Sequence, residues 1–349
     1  MKKAIILTFS RIDNRGANLQ AYALKKTLEE YDMDVYFLDF QLKYTFNSLN
    51  ARIFQTVANI NASFFRRKMN FKFTRRFKDK SDLERNCPSA DVYIVGSDQV
   101  WNPSLTKSVG GTTYFFDFLP DGQKRVSYAA SFGESWKPTS DDNQICQLLS
   151  KFSFIGVRET NGLGILRDNF GINDAKLVLD PSLLLSPKDI YSIVGDVIEK
   201  KRIYSYLLYR SEDIYKMTDL ISRTLSLPKF GNDDRSLLGK IKRMHGVRTW
   251  LRNIASSSVI VTNSFHCMSV ALILNKKVIV LPPHPGREQR MISLLKLLGC
   301  KGAFFSGLDD LKNRLNQVTN WELPYNSINE NLNLLKNESK KYILNEIAK

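Results

Sequence analysis

The chain has 349 residues, a length that predicts two domains of ordinary size, and its hydrophobic fraction of 43% is enough to fill two cores. Its formal net charge of +16 favours polyanionic partners. The cysteine pattern disfavours a zinc site or a disulfide framework, because none of the four cysteines belongs to a C-x-x-C pair. Polar and charged residues interrupt the most apolar region, 259–281, so we expect no membrane span and a cytoplasmic location.

The predicted elements alternate between short apolar strands and amphipathic helices along almost the whole chain. In the first half, strands are predicted at 4–9, 35–40, 92–95, 126–129, 154–157 and 176–179, and helices at 17–31, 141–151 and 161–169. In the second half, strands are predicted at 203–208, 259–261 and 278–281, and helices at 212–225, 249–255, 265–274, 288–298 and 326–347. This order predicts the α/β class, with two Rossmann-like, doubly wound domains that face a cleft.

The linker between the two domains is predicted near Pro181 and Pro187, because closely spaced prolines mark a break in regular structure. The predicted segments are an N-terminal, acceptor-side domain at 1–185 with a basic insert at 41–80, a C-terminal domain at 186–320, and a helical segment at 321–349. The last segment is expected to pack back on the N-terminal domain.

The basic insert contains ten basic residues and a single acid, Asp79. The basic residues are Lys43, Arg52, Arg66, Arg67, Lys68, Lys72, Arg75, Arg76, Lys78 and Lys80, and they interleave with Phe64, Phe65, Phe71, Phe73 and Phe77. The mixture predicts a helical segment that lies on a membrane surface. The alternative is a solvated helix whose phenylalanines pack into the core. A nucleic-acid partner is disfavoured because no nucleic-acid-binding motif accompanies the patch.

Polar clusters follow several of the predicted strands. Gly16, beside Asn14 at the start of the first helix, would let the backbone approach an anion, although an ordinary helix start explains both residues as well. Asp98 is placed to act as a base or to orient a sugar hydroxyl, with an Asx turn as the alternative. Trp101 offers a face for stacking on a sugar ring, unless it is part of the core. Arg158 would present a forked guanidinium to a carboxylate or phosphate, unless it forms a surface pair with the neighbouring glutamate.

The segment from Thr262 to His266 lies between a β-branched strand and an apolar helix, which is where anionic ligands bind. Ser264 is the predicted N-cap, and His266 is one of only three histidines in the chain. An ordinary cap beside a packed histidine is the alternative.

Taken in order, these motifs resemble the polysaccharide pyruvyl transferase family, from the first strand to about Leu298. The opening Asn14-x-Gly16-x-x-x-Gln20-x-x-Ala23-Leu24 also fits. The matching segments are Gly96-Ser97-Asp98-Gln99-Val100-Trp101-Asn102, Tyr128-Ala129-Ala130-Ser131-Phe132-Gly133, Val157-Arg158-Glu159, Asp180-Pro181-Ser182-Leu183-Leu184 and Thr262-Asn263-Ser264-Phe265-His266. The chain departs from the family pattern at Cys267, where a glycine is usual.

The resemblance implies a fold similar to the two-domain GT-B glycosyltransferases, with phosphoenolpyruvate bound on the C-terminal side. It implies transfer of pyruvate from phosphoenolpyruvate to two hydroxyls of a sugar, closing a cyclic ketal in capsule or exopolysaccharide synthesis without a cofactor or a metal. It also makes His266 and Arg158 the best candidates for phosphoenolpyruvate contacts, joined by Ser264 and Phe265. A polyprenyl diphosphate-linked oligosaccharide is an expected acceptor, with peripheral attachment to the inner face of the cell membrane.

The chemistry of the donor adds further candidates. A helix N-terminus supplies only about 0.3 to 1 kcal/mol toward an anion, so Arg287 and Arg290 are expected to assist, and Asn263 belongs to the same turn. We expect His266 to protonate the methylene carbon or to neutralise the phosphate, since its ordinary pKa of about 6.5 allows both protonation states. Asp98 is the candidate base that activates the sugar hydroxyl.

The sequence is also compatible with two other functions. One is a GT-B glycosyltransferase that uses a nucleotide sugar, with Glu288 near the ribose. The other is a glycan- or membrane-binding homologue that has lost the chemistry, for which Cys267 is the only sequence feature. The oligomeric state is not predicted.

Overall fold

The computed structural model describes residues 1–40, 49–107, 111–233, 245–285, 287–320 and 322–349, with side chains from residue 56 onward in the second range. The chain divides into two compact units. The N-terminal unit comprises Met1–Leu184 and Leu335–Lys349, and the C-terminal unit comprises Leu185–Leu334. The division after Leu184 falls one residue before the predicted boundary.

The N-terminal unit contains a sheet of seven parallel strands in the order β3-β2-β1-β4-β5-β6-β7. The strands are β1 (Lys2–Leu7), β2 (Met33–Asp39), β3 (Lys72–Arg76), β4 (Val92–Val95), β5 (Arg125–Ala130), β6 (Phe154–Val157) and β7 (Lys176–Leu177). The α-helices are α1 (Arg15–Glu29), α2 (Leu49–Lys68), α3 (Lys80–Asn86), α4 (Pro103–Thr106), α5 (Asp142–Leu149) and α6 (Thr160–Phe170). Short 3₁₀ turns occupy Thr113–Phe115 and Pro181–Leu184.

The C-terminal unit contains four parallel strands in the order β11-β10-β8-β9. The strands are β8 (Lys200–Tyr206), β9 (Lys229–Gly231), β10 (Ser257–Thr262) and β11 (Lys277–Val280). The α-helices are α7 (Pro187–Val194), α8 (Glu212–Leu225), α9 (Val247–Ala255), α10 (Phe265–Ile273), α11 (Gln289–Leu297), α12 (Leu308–Asn313) and α13 (Leu315–Asn320). The last helix, α14 (Tyr325–Tyr342), begins in this unit, and from Leu335 onward it belongs to the N-terminal unit together with the π-helical turn at Ile343–Ala348. A 3₁₀ turn spans Lys301–Ala303.

Both sheets have the composition and connectivity of doubly wound α/β domains. The central strands β1, β4, β5 and β10 are buried along most of their length, because helices cover both faces of a parallel sheet. The strand order reverses between β1 and β4 in one sheet and between β8 and β10 in the other. Ligands bind outside the carboxyl ends of the strands at such switch points, and the loops after these four strands therefore define the regions of interest. The predicted α/β fold is confirmed.

Two strands were not predicted. Residues 72–76 of the basic insert form the edge strand β3 instead of continuing a helix, because Phe71 and Phe73 stack on Phe37 of β2 at centroid distances of 4.7 and 5.7 Å. The three-residue β9 is too short for a periodic signal. Helix α2 forms within the insert as expected. Lys43 lies outside the described residues, as does the side chain of Arg52.

The C-terminal residues complete the N-terminal unit. Tyr342 donates a hydrogen bond to the Ser127 carbonyl at 2.9 Å, and the backbone N–H of Leu179 donates to the Ser339 hydroxyl at 2.9 Å. Burial raises the pKa of the Tyr342 phenol well above its ordinary value, so the hydroxyl stays a donor at any ordinary pH. In the described part of the chain, no helix combines the length and the apolarity needed to cross a membrane.

Gly231 at the end of β9 is a position that only glycine fits. A Cβ atom there would lie 1.8 Å from the Ser205 carbonyl oxygen, and φ is +156°. We expect Gly231→Ala to lower the free energy of unfolding by about 2 to 4 kcal/mol, because the neighbouring strand β8 would have to move. Urea titration followed by circular dichroism measures the loss. Gly307→Ala, with open space around it, is the matched control and should change stability little. Equal losses in the two variants would contradict the argument.

Candidate functional site

Asn263 holds together the loops at the switch point of the C-terminal unit. Its side-chain oxygen accepts hydrogen bonds from the backbone N–H groups of Leu208 (2.7 Å) and Tyr209 (3.4 Å), and its amide donates to the carbonyls of Tyr209 (2.8 Å) and Pro282 (3.2 Å). The loops after β8, β10 and β11 are thus joined through one side chain.

These four bonds use both donors and both acceptor positions of the amide. The side chain is also buried, with 1% of its residue surface exposed. The predicted substrate contact at Asn263 is therefore wrong: the residue positions the loops that surround it. The neighbouring Asn232, which the sequence interpretation missed, binds the backbone N–H and carbonyl of Leu207 in the same way, at 2.6 and 2.9 Å.

Ser264 is the N-cap of α10, as the sequence predicted. Its hydroxyl accepts from the Cys267 N–H at 3.4 Å, and its own N–H donates to the Thr262 hydroxyl at 3.0 Å. Thr262 in turn donates to the Tyr206 carbonyl at 2.6 Å, which ties the turn to β8. Cys267 is fully buried in the first helical turn without a positive φ, so a side chain is accommodated where the family pattern has glycine.

His266 is half-buried in the first turn of α10, beside the buried ring of Phe265. The two rings are perpendicular with centroids 5.5 Å apart, and the Arg290 guanidinium lies 6.0 Å from the Phe265 centroid. The structure therefore brings two of the predicted site residues, His266 and Arg290, beside a third, Phe265. Ser264 and Phe265 are both buried, so their contribution to a ligand site is to fix the backbone and the imidazole rather than to present side chains.

A second histidine, which the sequence interpretation did not single out, joins the same group of loops. The His284 ring is exposed and packs edge-on against Tyr209, with centroids 5.3 Å apart. The Pro-Pro-His-Pro sequence from 282 to 285 was the available signal. Arg287, also exposed, donates its backbone N–H to the His284 carbonyl at 3.0 Å. Glu288, the rival candidate for a ribose contact, is half-buried just before α11.

The loops that follow β8, β10 and β11 are cationic. In segments 207–211, 263–266 and 281–290 of the sequence, the only acid is Glu288. The basic side chains there are Arg210, His266, His284, Arg287 and Arg290. Backbone N–H groups at the start of α10 add a positive helix terminus. An anionic ligand is the chemistry that this edge of the C-terminal unit favours.

Asp180 is the centre of a buried polar cluster in the N-terminal unit. One carboxylate oxygen accepts from the Ser97 hydroxyl (2.9 Å) and from Arg158 Nη1 (3.0 Å), while the other accepts from the backbone N–H and hydroxyl of Ser182 (2.9 and 2.6 Å). The sequence interpretation placed only the interdomain linker near this position. The cluster instead fixes the ends of β4 and β6 and the turn after β7 to one another.

Arg158 is a buried ion-pair residue. Its Nε donates to Glu159 at 2.6 Å and its Nη1 to Asp180 at 3.0 Å, and only 1% of its side chain is exposed. Burial alone would lower its pKa, but the charges of Glu159, Asp180 and Asp98 raise it above the ordinary value. The predicted direct contact with phosphate or carboxylate is not what this geometry provides, since the guanidinium is enclosed and faces several carboxylates. The alternative of a surface pair with Glu159 is also corrected, because the pair is buried.

Asp98 is a partly exposed carboxylate at the switch point of the N-terminal unit. It has φ +88°, which is uncommon for a residue other than glycine and is characteristic of functional sites. Its backbone carbonyl accepts from the N–H groups of Val100 and Ser131, and its Oδ1 accepts from the Gln99 N–H at 2.9 Å. Because Oδ1 accepts from the next residue and not from the residue two positions on, this is not the Asx turn that was the alternative for the segment.

Trp101 belongs to the core. Its ring stacks on Phe115 at 5.2 Å, packs against Phe132 and Phe152, and is completely buried, and its indole N–H donates to the Tyr114 carbonyl at 3.0 Å. The predicted stacking on a sugar ring is wrong, because no face of the indole is open to a ligand.

Asn14 and Gly16 form the N-terminal cap of α1. The Asn14 side-chain oxygen accepts from the N–H groups of Gly16 (2.9 Å) and Ala17 (3.2 Å). The Gly16 N–H is thereby satisfied within the cap, so the predicted anion contact through it is not available in this conformation. Asn18 and Arg66 tie the cap down further, because Arg66 Nη1 donates to the Asn18 side-chain oxygen at 3.0 Å.

The fold identifies the class of protein. The chain resembles UDP-GlcNAc 2-epimerase from Neisseria meningitidis in complex with UDP-GlcNAc, with a TM-score of 0.55, 11% identity and coverage of 99% of each chain. It also resembles UGT89C1 from Arabidopsis thaliana (TM-score 0.55, 10% identity, coverage 99% and 95%). A UDP-glucosyltransferase from Polygonum tinctorium is similar too (TM-score 0.51, 10% identity, coverage 99% and 98%). These likenesses define a GT-B-like fold.

The sequence profile of the polysaccharide pyruvyl transferase family matches residues 14–285 of the chain. The chain belongs to the polysaccharide pyruvyl transferase family, and the resemblance inferred from its motifs is confirmed. No curated protein matches the chain as a close sequence relative.

We expect Arg158→Ala to lower the free energy of unfolding by about 3 to 5 kcal/mol, because it leaves Glu159 and Asp180 buried without a counter-charge. Arg167→Ala is the matched control, since Arg167 forms the same type of pair with the next residue, Asp168, on the surface. Denaturant unfolding should show no measurable change for the control. A small effect of Arg158→Ala would show that the buried cluster does not hold the unit together.

Asn263→Ala should lower the free energy of unfolding by about 2 to 4 kcal/mol, because it leaves several buried backbone groups without partners. Asn313→Ala, an exposed residue in the same unit, should be neutral. The two variants can be compared by urea unfolding and by hydrogen exchange of the Leu208 and Tyr209 amides. Unchanged exchange of those amides in Asn263→Ala would contradict the role assigned to this side chain.

Proposed function

We propose that this protein transfers the pyruvate group of phosphoenolpyruvate to two hydroxyls of a sugar, forming a cyclic ketal during the synthesis of a surface polysaccharide. The observation that carries the proposal is the position of His266 at the N-terminus of α10, within the cationic loops of a chain that belongs to the pyruvyl transferase family. Family membership supports a transferase, and the cationic loops support an anionic donor.

The charge of the two sets of loops favours different substrates. Phosphoenolpyruvate carries a phosphate and a carboxylate, which suit the loops around His266, Arg287 and Arg290. Arg158 is surrounded by carboxylates and does not offer an uncompensated positive charge. We therefore assign donor binding to the C-terminal unit and acceptor binding to the N-terminal unit, where Asp98 supplies a carboxylate that can accept a proton from a hydroxyl.

The reaction proceeds by addition and elimination at the central carbon of the donor. His266 gives a proton to the methylene carbon, which becomes the methyl group, while positive charge develops on the central carbon. A sugar hydroxyl adds to this carbon and loses its proton to a base. A second hydroxyl then attacks, the bond to the phosphate oxygen breaks, and the proton of that hydroxyl leaves as inorganic phosphate is released. Phosphoenolpyruvate and a diol are thereby converted to a ketal and phosphate.

Arg158 and Asn263 act in this scheme as positioning residues. Arg158 ties the end of β6 to Asp180 in the turn after β7, and Asn263 fixes the loop that leads into His266. Loss of activity in variants of either residue is therefore expected to accompany loss of local structure. Loss of activity in variants of His266 should occur in a folded protein, because the imidazole is half-buried at a helix surface.

We expect His266→Ala to reduce phosphate release from phosphoenolpyruvate about a hundredfold or more in the presence of a pyruvylatable acceptor, since it removes the proton donor. His245→Ala, an exposed histidine outside these loops, is the matched control and should retain activity. Ketal formation on the acceptor is detected by mass spectrometry. Activity of His266→Ala near that of the unmodified protein would remove His266 from the mechanism.

A thermal-shift comparison addresses the donor independently of the acceptor. Phosphoenolpyruvate should stabilise the unmodified protein and stabilise His266→Ala less, because ligand that binds only the native state raises the melting temperature. Stabilisation by a nucleoside diphosphate but not by phosphoenolpyruvate would favour a glycosyltransferase instead. Full binding of phosphoenolpyruvate without turnover on any acceptor would favour a homologue that has lost the chemistry.

A further inference from the structure

Helix α2 has one face packed against the N-terminal unit and one face in solvent. On the packed side, Ala62, Phe65 and Arg66 are buried, and the Phe65 ring contacts Tyr22 of α1 with centroids 6.0 Å apart. Arg66 also binds the carbonyls of the loop after β1 and the Ser63 hydroxyl. These contacts fix the orientation of the helix, so the residues on its other side face the solvent.

The solvent side, here named the outer face of α2, comprises Thr56, Asn59, Ile60, Ser63, Phe64 and Arg67. The spacing of three and four residues places them along one side of the helix. They line an open depression of about 400 Å³. Ile60 is 49% exposed and Phe64 is 65% exposed, and the two are one helical turn apart, so they form a single apolar patch. A contiguous apolar patch on an exposed helix face is a candidate interaction surface.

Positive charge borders the patch. Arg67 and Lys68 are exposed at the C-terminal end of α2 and form no ion pair with any described residue. Four other basic residues of the insert contribute less than the sequence suggested. Lys72 pairs with Asp34, Arg75 pairs with Asp82 and Lys80 pairs with Asp117. Arg66 is buried, where desolvation and the nearby Arg11 lower its pKa to about 10, so it remains charged but cannot reach a partner outside.

The apolar patch and the two neighbouring bases together favour one type of partner. We propose that the outer face of α2 binds the surface of an anionic membrane, with Ile60 and Phe64 entering the acyl boundary and Arg67 and Lys68 contacting lipid phosphates. An aromatic and an aliphatic side chain flanked by bases on an exposed helix is the arrangement of an interfacial anchor. Two large apolar side chains are too few for a stable protein interface, which buries about 1,200 Å² or more. The formal net charge of +16 adds attraction toward an anionic surface at long range.

This surface differs from the sequence prediction in its residues. The phenylalanines Phe65 and Phe77 are buried, and Phe71 and Phe73 pack on Phe37, so Phe64 is the one exposed phenylalanine among the five. The inference does not depend on the proposed function, because it uses no residue assigned to the donor or acceptor loops.

Vesicle co-sedimentation tests the proposal with the full chain. The double variants Ile60→Ser with Phe64→Ser, and Arg67→Gln with Lys68→Gln, should each bind vesicles containing phosphatidylglycerol at least tenfold more weakly than the unmodified protein. The matched controls are Ile198→Ser with Leu334→Ser, whose exposed fractions are 84% and 64%, and Lys200→Gln with Lys201→Gln. The controls should bind normally. Binding should also fall in about 1 M salt, where the Debye length is about 3 Å.

Insertion gives a second measurement. Phe64→Trp should show a blue-shifted emission with phosphatidylglycerol vesicles, and lipids that carry a quencher should quench it more than they quench the unmodified protein. The proposal is overturned if the unmodified protein does not bind these vesicles, if phosphatidylcholine alone binds equally well, or if the control variants lose binding to the same extent. Sedimentation velocity that shows self-association abolished by Ile60→Ser with Phe64→Ser, without vesicle binding, would assign the surface to a second copy of the chain.

Discussion

The buried polar side chains at the carboxyl edges of the two sheets are the constraint on which the rest of the site depends. Loops at these edges carry backbone N–H and carbonyl groups that the strands do not satisfy, and leaving them unpaired in the interior is costly. In the C-terminal unit Asn263 satisfies the groups of three loops, and in the N-terminal unit Asp180 joins two strand ends to the turn after β7. Polar residues that resemble ligand contacts in the sequence are therefore largely used to build the loops.

This use of polar residues leaves an electrostatic difference between the units. Around Arg158 the carboxylates outnumber the guanidinium, whereas the loops near His266 carry several cationic side chains and one acid. In the proposed reaction, a donor with a phosphate and a carboxylate is matched to the second environment, and hydroxyl groups that must lose protons are matched to the first. The sequence alone predicted that Arg158 binds the donor.

Helix α2 illustrates how tertiary packing determines which residues of a segment remain exposed. The insert contains ten bases and five phenylalanines, which fit either a helix that lies on a membrane surface or a solvated helix whose phenylalanines pack into the core. Packing within the N-terminal unit buries two of the phenylalanines and partly covers two more, and ion pairs neutralise several of the bases. A smaller set remains at the surface, in which two apolar residues and two bases are adjacent. The location of this set near the loop after β1 follows from the contacts of Arg66.

The sequence by itself determined the α/β class, most of the strands and helices, the family, and the position of Ser264 as a cap, because hydrophobic periodicity and local capping act over a few residues. It did not determine β3, since an edge strand of basic residues has no apolar run, nor the burial of Trp101 and Arg158, since burial depends on residues far away in the chain. Whether a polar side chain contacts a ligand or completes the protein's own hydrogen bonds was decided by the tertiary structure, because both uses require the same functional groups and only the neighbouring backbone distinguishes them.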